Sequence, residues 1–256
     1  MNQNQKSVVV IPTLRRPEML ALTLQHLSQT RQASSLDVRI YVDHTTEQRL
    51  DEVEYVRDTF FPTADIFHAA THVLCPGGTW NILQSLKSGY ETGVEFIFFV
   101  EEDVFVRPEF FDRHLEMQAS GDYFVTCGRK LPNRDEFYYS NPGTCYRREK
   151  LALVIPHIND RYFADQAGYV EEHFPNMQDA GTNDDGLIRR VMQSVGGKAL
   201  CAVPPTAYHQ GFHYYNRMPQ FTVEGTLPEK IEQLKVLLQK VNPKDRYSSD
   251  FEPFNG

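Results

Sequence analysis

A chain of 256 residues, 41% of them hydrophobic, is long enough to bury one large α/β core or two small ones, which excludes disorder throughout. Its 34 acidic residues outnumber 26 basic ones, for a formal net charge of −8, so the surface as a whole is not drawn to polyphosphate or an anionic bilayer. Cys75, Cys127, Cys145 and Cys201 are far apart and form neither a CxxC pair nor a cluster with histidine, which argues against a zinc ribbon and for buried free thiols.

The opening "MNQNQKSVVVIPT" has a polar lead and a short apolar run ended by Pro12, so it reads as a strand rather than a signal peptide. With no apolar stretch of roughly 18 residues or more, the expectation is a soluble, cytoplasmic protein. The β-branched run of residues 7 to 13 predicts a buried first strand. Pro17 then opens a helix with Leu20, Leu24 and Leu27 at helical spacing. "DVRIYVDHT" gives a second strand, Val38 to Val42, ending at Asp43, and residues 47 to 59 a charged surface helix. "CPGGTWNILQSLKSGYETG" is a turn followed by a helix that Gly93 stops.

The third strand, Phe96 to Val100, is apolar without a break, as suits a strand covered on both faces, and it stops at Glu101, Glu102 and Asp103. Three adjacent acids resist desolvation, which predicts an exposed strand end, a cation site, or both. Strand alternation would point Glu101 and Asp103 to one side and Glu102 to the other. Two carboxylates on one side can hold Mg²⁺ or Mn²⁺; the alternative is a solvated acidic turn. Strand and helix thus alternate through the first half, predicting a mainly parallel sheet whose active edge lies at the carboxyl ends of its strands.

The second half is less regular. "DYFVTCGRK" and "GTCYRREKL" are strand-like, residues 160 to 182 read as polar loop, and a helix runs from Asp184 to Val195. Leu187, Ile188, Val191 and Val195 are spaced for burial of one helical face and place Asp184 and Asp185 in the first turn, where a helix terminus stabilises their charge. Simple capping would explain one of the two equally well. "KALCAVP" is a further strand, His209 and His213 fall in an aromatic loop as either ligands or structural residues, and a last helix covers about Pro228 to Val241.

In their order, "VVVIPTLRRPEML", "VRIYVDHT", "FIFFVEEDVFV", "GTCYRREKL", "NDDGLIRRVMQSVGG" and a late "YHQG" resemble the GT-A glycosyltransferases, especially inverting enzymes of the family 2 type, over roughly residues 7 to 215. The resemblance implies a Rossmann-like α/β fold with a mainly parallel central sheet and flanking helices, in a single domain over residues 1–256. Residues up to about 110 would form a nucleotide-binding half, about 111–220 an acceptor-binding half, and about 221–256 a final helix and tail. It also implies a nucleotide site of Pro12, Thr13 and Arg16, with Asp43 on the base or ribose and Glu101 and Glu102 beside it. "EED" stands at the DxD position, making Asp103 the main metal ligand, although Glu101 departs from the usual Asp. Counting back from Leu187 and Arg190 puts the catalytic base at Asp184, with Asp185 one register away. His209, or alternatively His213, would complete the metal or diphosphate site.

The activity so implied is transfer of a sugar from a nucleotide-sugar donor to a glycan or other hydroxyl-bearing acceptor, with Mn²⁺ or Mg²⁺ as cofactor and inversion at the anomeric carbon. A modified nucleic acid is an alternative acceptor, although its only charge signature is Arg129-Lys130, Arg134 and Arg147-Arg148. A nucleotidyltransferase would be expected to carry a Gly-rich phosphate loop after the first strand, and "IPTLRRPEM" has none. A non-catalytic sugar-nucleotide or glycan-binding module needs no base, so the pairing of "EED" with "NDD" argues for an enzyme.

Overall fold

The computed structural model describes residues 7–13, 16–71, 78–131, 134–139, 143–177, 181–209 and 223–240. Its first half alternates as β1 (Ser7–Thr13), α1 (Pro17–Ser28), β2 (Asp37–Val42), α2 (Glu47–Phe60), β3 (Asp65–His68), α3 (Thr79–Glu91) and β4 (Phe96–Phe99). After these come β5 (Val104–Val106), α4 (Phe110–Ala119), β6 (Val125–Cys127), β7 (Thr144–Arg147), α5 (Arg148–Leu151), α6 (Asp160–Ala164), α7 (Gln166–His173), α8 (Asp184–Ser194), β8 (Ala199–Cys201), β9 (Ala207–His209) and a helix over Leu227–Lys240.

Seven strands form one sheet in the order β3-β2-β1-β4-β7-β6-β8. The first four run parallel, β7 is antiparallel to both neighbours, and β8 is parallel to β6, so the expected mainly parallel α/β sheet is what forms. Alternation along β1 and β4 divides the core. Val8, Val10, Ile97 and Phe99 pack with α3 and α8 on one face, while Val9, Ile11, Phe98 and Val100 pack with α1, α2 and α4 on the other. The Leu227–Lys240 helix lays Leu234 and Leu238 against Met19 and Leu22 of α1.

Three segments differ from expectation. Residues 207–209, read as part of an aromatic loop, form β9, because they pair with β5 rather than through any local pattern of their own. Residues 160–173, read as loop, form α6 and α7, whose first turns are capped by Asn159 on Tyr162 N and Asp165 on Gly168 N. At five and eight residues they are too short to show a periodic apolar stripe. β3 was not anticipated because only edge pairing with β2 defines it; its side chains are largely exposed. Cys127, Cys145 and Cys201 are buried thiols outside any disulfide, and Cys75 lies outside the described residues. No helix among the described residues is long and apolar enough to cross a membrane.

Gly89 sets how closely α3 approaches the sheet. A Cβ there would lie 2.9 Å from Ile97 Cγ2 and 2.9 Å from Val10 Cγ1. Gly89→Ala should gain at most about 1 kcal/mol of helix propensity, against an overpacking cost of roughly 1–3 kcal/mol. Net destabilisation in urea unfolding is therefore expected; a more stable variant would show that α3 can lift off without penalty.

Candidate active site at the carboxyl edge of the sheet

β1, β2 and β4 end together. Asp43 N donates to Thr13 O at 3.1 Å, and Val100 N to Val10 O at 3.1 Å, which carries the β4 pairing one residue further. In α3, Asn81 Nδ2 donates to Tyr41 O at 2.9 Å and Thr13 O at 3.3 Å and so ties the ends of β1 and β2. Pro12 and Thr13 are buried here, and Asp43, 5% exposed, accepts from His44 N at 2.8 Å.

The acid triplet departs from expectation in two ways. It is a turn, closed by Val104 N to Glu101 O at 3.1 Å, rather than a continuation of the strand. It is also not exposed: Glu102 is 3% and Asp103 6% accessible. Burial is tolerated because each acid meets a donor or cation. Glu102 turns inward, accepting from Thr13 Oγ1 at 2.5 Å and facing Arg16 Nε at 3.0 Å, while its own carbonyl accepts from Thr23 Oγ1 at 2.6 Å. Both carboxylate oxygens of Glu102 are thereby engaged, holding Arg16 against the loop.

Glu101 and Asp103 fall on the other side, where His209 joins them. β5 pairs antiparallel with β9, and the register sets Val104 opposite His209. His209 Nε2 consequently lies 3.0 Å from Asp103 Oδ1 and 3.9 Å from Glu101 Oε2, and Arg16 Nη1 lies 3.7 Å from Asp103 Oδ2. One ligand atom from each of Glu101, Asp103 and His209 lies within 4.8 Å of the others. Two ligands on one ion with bonds of about 2.0–2.2 Å can be no more than about twice that apart, so the measured pairs with His209 suit a single divalent cation. His213 lies outside the described residues.

Electrostatics follow from this crowding. Burial, with repulsion from Asp103, Asp185 and Asp184, pushes Glu101 up to about 8 in spite of His209. Burial opposes a charged His209, but Asp103 and Glu101 hold it up to about 9. Burial likewise disfavours the Asp103 charge, yet His209 and Arg16 keep that carboxyl below its ordinary value.

The second acid pair opens α8. Asn183 Oδ1 accepts from Gly186 N at 3.3 Å as the cap, and Asp184 and Asp185 occupy the first turn. Gly186 is required by a close approach: a Cβ would lie 1.7 Å from Gly181 O, to which Arg190 Nη1 also donates. Asp184 accepts from Thr79 Oγ1 at 3.0 Å, and burial raises its pKa. Burial and the neighbouring Asp184 push Asp185 up to about 7, opposed by Arg189, His209 and a hydrogen bond from Tyr139. Tyr139 is buried and also shares a hydrogen bond of 3.0 Å with Tyr146. Thr79, Asn81 and Tyr139 were not singled out from sequence. The Pro-Gly-Gly turn ahead of α3 was the one signal for the first two, and nothing local marks Tyr139.

No protein-family model matches the chain, and no curated protein matches it significantly. Solved structures do. S. aureus TarS 1–349 in complex with UDP superposes with a TM-score of 0.53 at 16% identity, covering 97% of this chain and 76% of that one. The same fragment with UDP-GlcNAc gives 0.53 at 15%, covering 94% and 83%. The mannosyltransferase PcManGT from Pyrobaculum calidifontis, in complex with GDP-Man and Mn²⁺, gives 0.50 at 12%, covering 94% and 71%. The fold is GT-A. Against a further TarS structure the chain spans 43% of the length.

Within the GT-A fold the acid-His cluster and the α8 acids share the carboxyl edge of the sheet. Since Glu101 and His209 keep protons up to about 8 and about 9, a cation must displace them to bind. The rise in Tm produced by Mn²⁺ is therefore expected to be larger at about pH 9 than at about pH 6. A pH-independent shift would remove these side chains from the cation site.

Proposed function

We propose that this chain is a nucleotide-sugar-dependent glycosyltransferase. The observation that carries this reading is the convergence, at one edge of a GT-A sheet, of a cation-sized Glu101–Asp103–His209 cluster with the acid pair that opens α8. The UDP, UDP-GlcNAc and GDP-Man complexes among the structural neighbours support a nucleotide-sugar donor. Glu101, Asp103 and His209 would hold Mn²⁺ or Mg²⁺. When bound, the cation supplies neutralisation of the charge on the leaving diphosphate.

The remaining chemistry belongs to the chain itself. Thr13, Arg16 and Asp43 line the nucleotide end, with Glu102 fixing Arg16 and Thr13. An acceptor hydroxyl gives its proton to a carboxylate of α8 as its oxygen bonds to the anomeric carbon and the bond from that carbon to the diphosphate oxygen breaks. With one base on the face opposite the leaving group, the anomeric configuration inverts.

Two observations favour Asp185, one residue on from the Asp184 named by the count on Leu187 and Arg190. Asp184 is held by Thr79, whereas Asp185, although Tyr139 hydrogen-bonds to its carboxyl, keeps Oδ1 buried with no hydrogen-bond partner among the described residues, and of the two acids it raises Glu101 more. A carboxylate titrating near neutrality is suited to take a proton at physiological pH. We assign the base to Asp185, with Asp184 as the anchored neighbour that raises its proton affinity.

The direct test is a thermal-shift screen of nucleoside diphosphates and nucleotide sugars with and without Mn²⁺, followed by donor hydrolysis for whichever binds. Absence of binding by every nucleotide sugar would overturn the proposal. Asp43→Ala should weaken donor binding by about 1–3 kcal/mol, as for losing a charged hydrogen bond, and leave turnover at saturating donor unchanged. A fall in kcat at constant KM would place Asp43 in the chemistry instead.

A further inference from the structure

Tyr138 carries two guanidiniums. Arg134 Cζ lies 4.4 Å and Arg189 Cζ 4.6 Å from its ring centroid, so the two charges are held within about 9 Å of each other. Among the described residues neither has an ion pair or a side-chain hydrogen-bond partner, and Arg189 Nε is buried without an acceptor. Six other arginines, Arg16, Arg31, Arg39, Arg57, Arg113 and Arg161, form ion pairs with carboxylates. In a chain of net charge −8, two adjacent cations with no carboxylate in ion-pair contact among the described residues are held against their mutual repulsion, and Arg189 feels an acid only through the field of Asp185. The nearby Asp135 directs its Oδ1 to Phe137 N within its own turn.

The position of this pair gives it a use. Arg189 lies one helical turn after Asp185 and lowers the proton affinity of that carboxyl, while Tyr138 precedes Tyr139, which hydrogen-bonds to Asp185. The platform lies along β8, the edge of the sheet opposite β3 and β2, since Cys201 N donates to Glu136 O at 2.7 Å and Cys201 Sγ to Tyr138 O at 3.1 Å. A guanidinium stacked on an aromatic ring is already ordered, so it loses little freedom when its planar fork grips a phosphate or carboxylate.

We propose that Arg134 and Arg189, stacked on Tyr138, form an anion subsite for the acceptor, which would carry a phosphate or carboxylate beside the hydroxyl that is glycosylated. Its role as an acceptor subsite rests on the glycosyltransferase reading; the anion binding does not. The probes are glucose 6-phosphate, glucuronate and glucose, each titrated against the full chain by thermal shift and NMR. One or both anionic sugars are expected to bind and glucose is not, and whichever binds distinguishes phosphate from carboxylate. R189Q and R134Q are each expected to weaken that binding on the order of tenfold or more. Should R189Q fail to fold, R134Q, on an exposed residue, carries the test alone.

Affinity for UDP and GDP with Mn²⁺ is expected to be unchanged in both variants. A loss there would assign the guanidiniums to the donor diphosphate and overturn the proposal. So would equal binding of glucose, retention of anionic-sugar binding in both variants, or no binding of either anionic sugar to the wild type. If instead every nucleotide sugar fails to bind while the anionic sugars bind through Arg134 and Arg189, the glycosyltransferase reading falls and the anion site stands.

Discussion

Asp103→Ala is expected to abolish Mn²⁺-dependent binding of nucleoside diphosphates. Asp103 sits 3.0 Å from His209 Nε2 and is 6% exposed, so its loss removes an inner donor of the cluster and leaves His209 and Arg16 facing a void. Losing an outer-shell partner alone typically weakens metal affinity about 10–100-fold, so removing a ligand should exceed about 100-fold in calorimetric titration. The metal-free fold should survive, because the deletion also relieves repulsion on Glu101, one cause of its raised proton affinity. Glu101 should accordingly ionise at lower pH in the variant, which carboxyl NMR can follow. Unchanged Mn²⁺-dependent affinity in Asp103→Ala, or a wild type that binds nucleotide equally well in EDTA, would remove the acid-His cluster from donor binding.

Asp185→Asn is expected to lower sugar transfer by roughly 10²–10⁴-fold, the contribution of a positioned general base, while donor and metal affinity stay close to wild type. The amide preserves shape and still meets Tyr139, so the helix start should persist. Asp184→Asn should act more weakly and indirectly, by disturbing the bond to Thr79 Oγ1 and by removing the charge that raises Asp185. In Asp184→Asn the rising limb of the rate against pH should therefore move to lower pH. If Asp184→Asn shows the large loss and Asp185→Asn does not, the count from Leu187 and Arg190 names the base and the geometric argument fails. A product that keeps the anomeric configuration of the donor would overturn single-base inversion whichever residue matters.

Periodicity and composition sufficed for what is local. The unbroken apolar run of Phe96 to Val100 marked a strand buried on both faces, and the spacing of Leu187, Ile188 and Val191 put Asp184 and Asp185 in a first helical turn, although Val195, expected on the same buried face, is exposed where the helix ends at Ser194. Alternation of strand and helix fixed the parallel character of β2-β1-β4 and brought Thr13, Asp43 and the acids to one edge, whereas β3 came only from its pairing with β2. These follow from sequence because backbone hydrogen bonding and one-sided burial repeat with fixed periods. Tertiary structure decided the rest. The union of His209 with Asp103 depends on β5 pairing with β9, a register that no local pattern in either segment encodes. The inward turn of Glu102 depends on Thr13, 89 residues away, and the anchoring of Asp184 on Thr79, 105 residues away. Three adjacent acids read as exposed because isolated charges resist burial; the fold buries two of them because it brings Arg16 and His209 to them, and desolvation is a property of the assembled neighbourhood rather than of the residue.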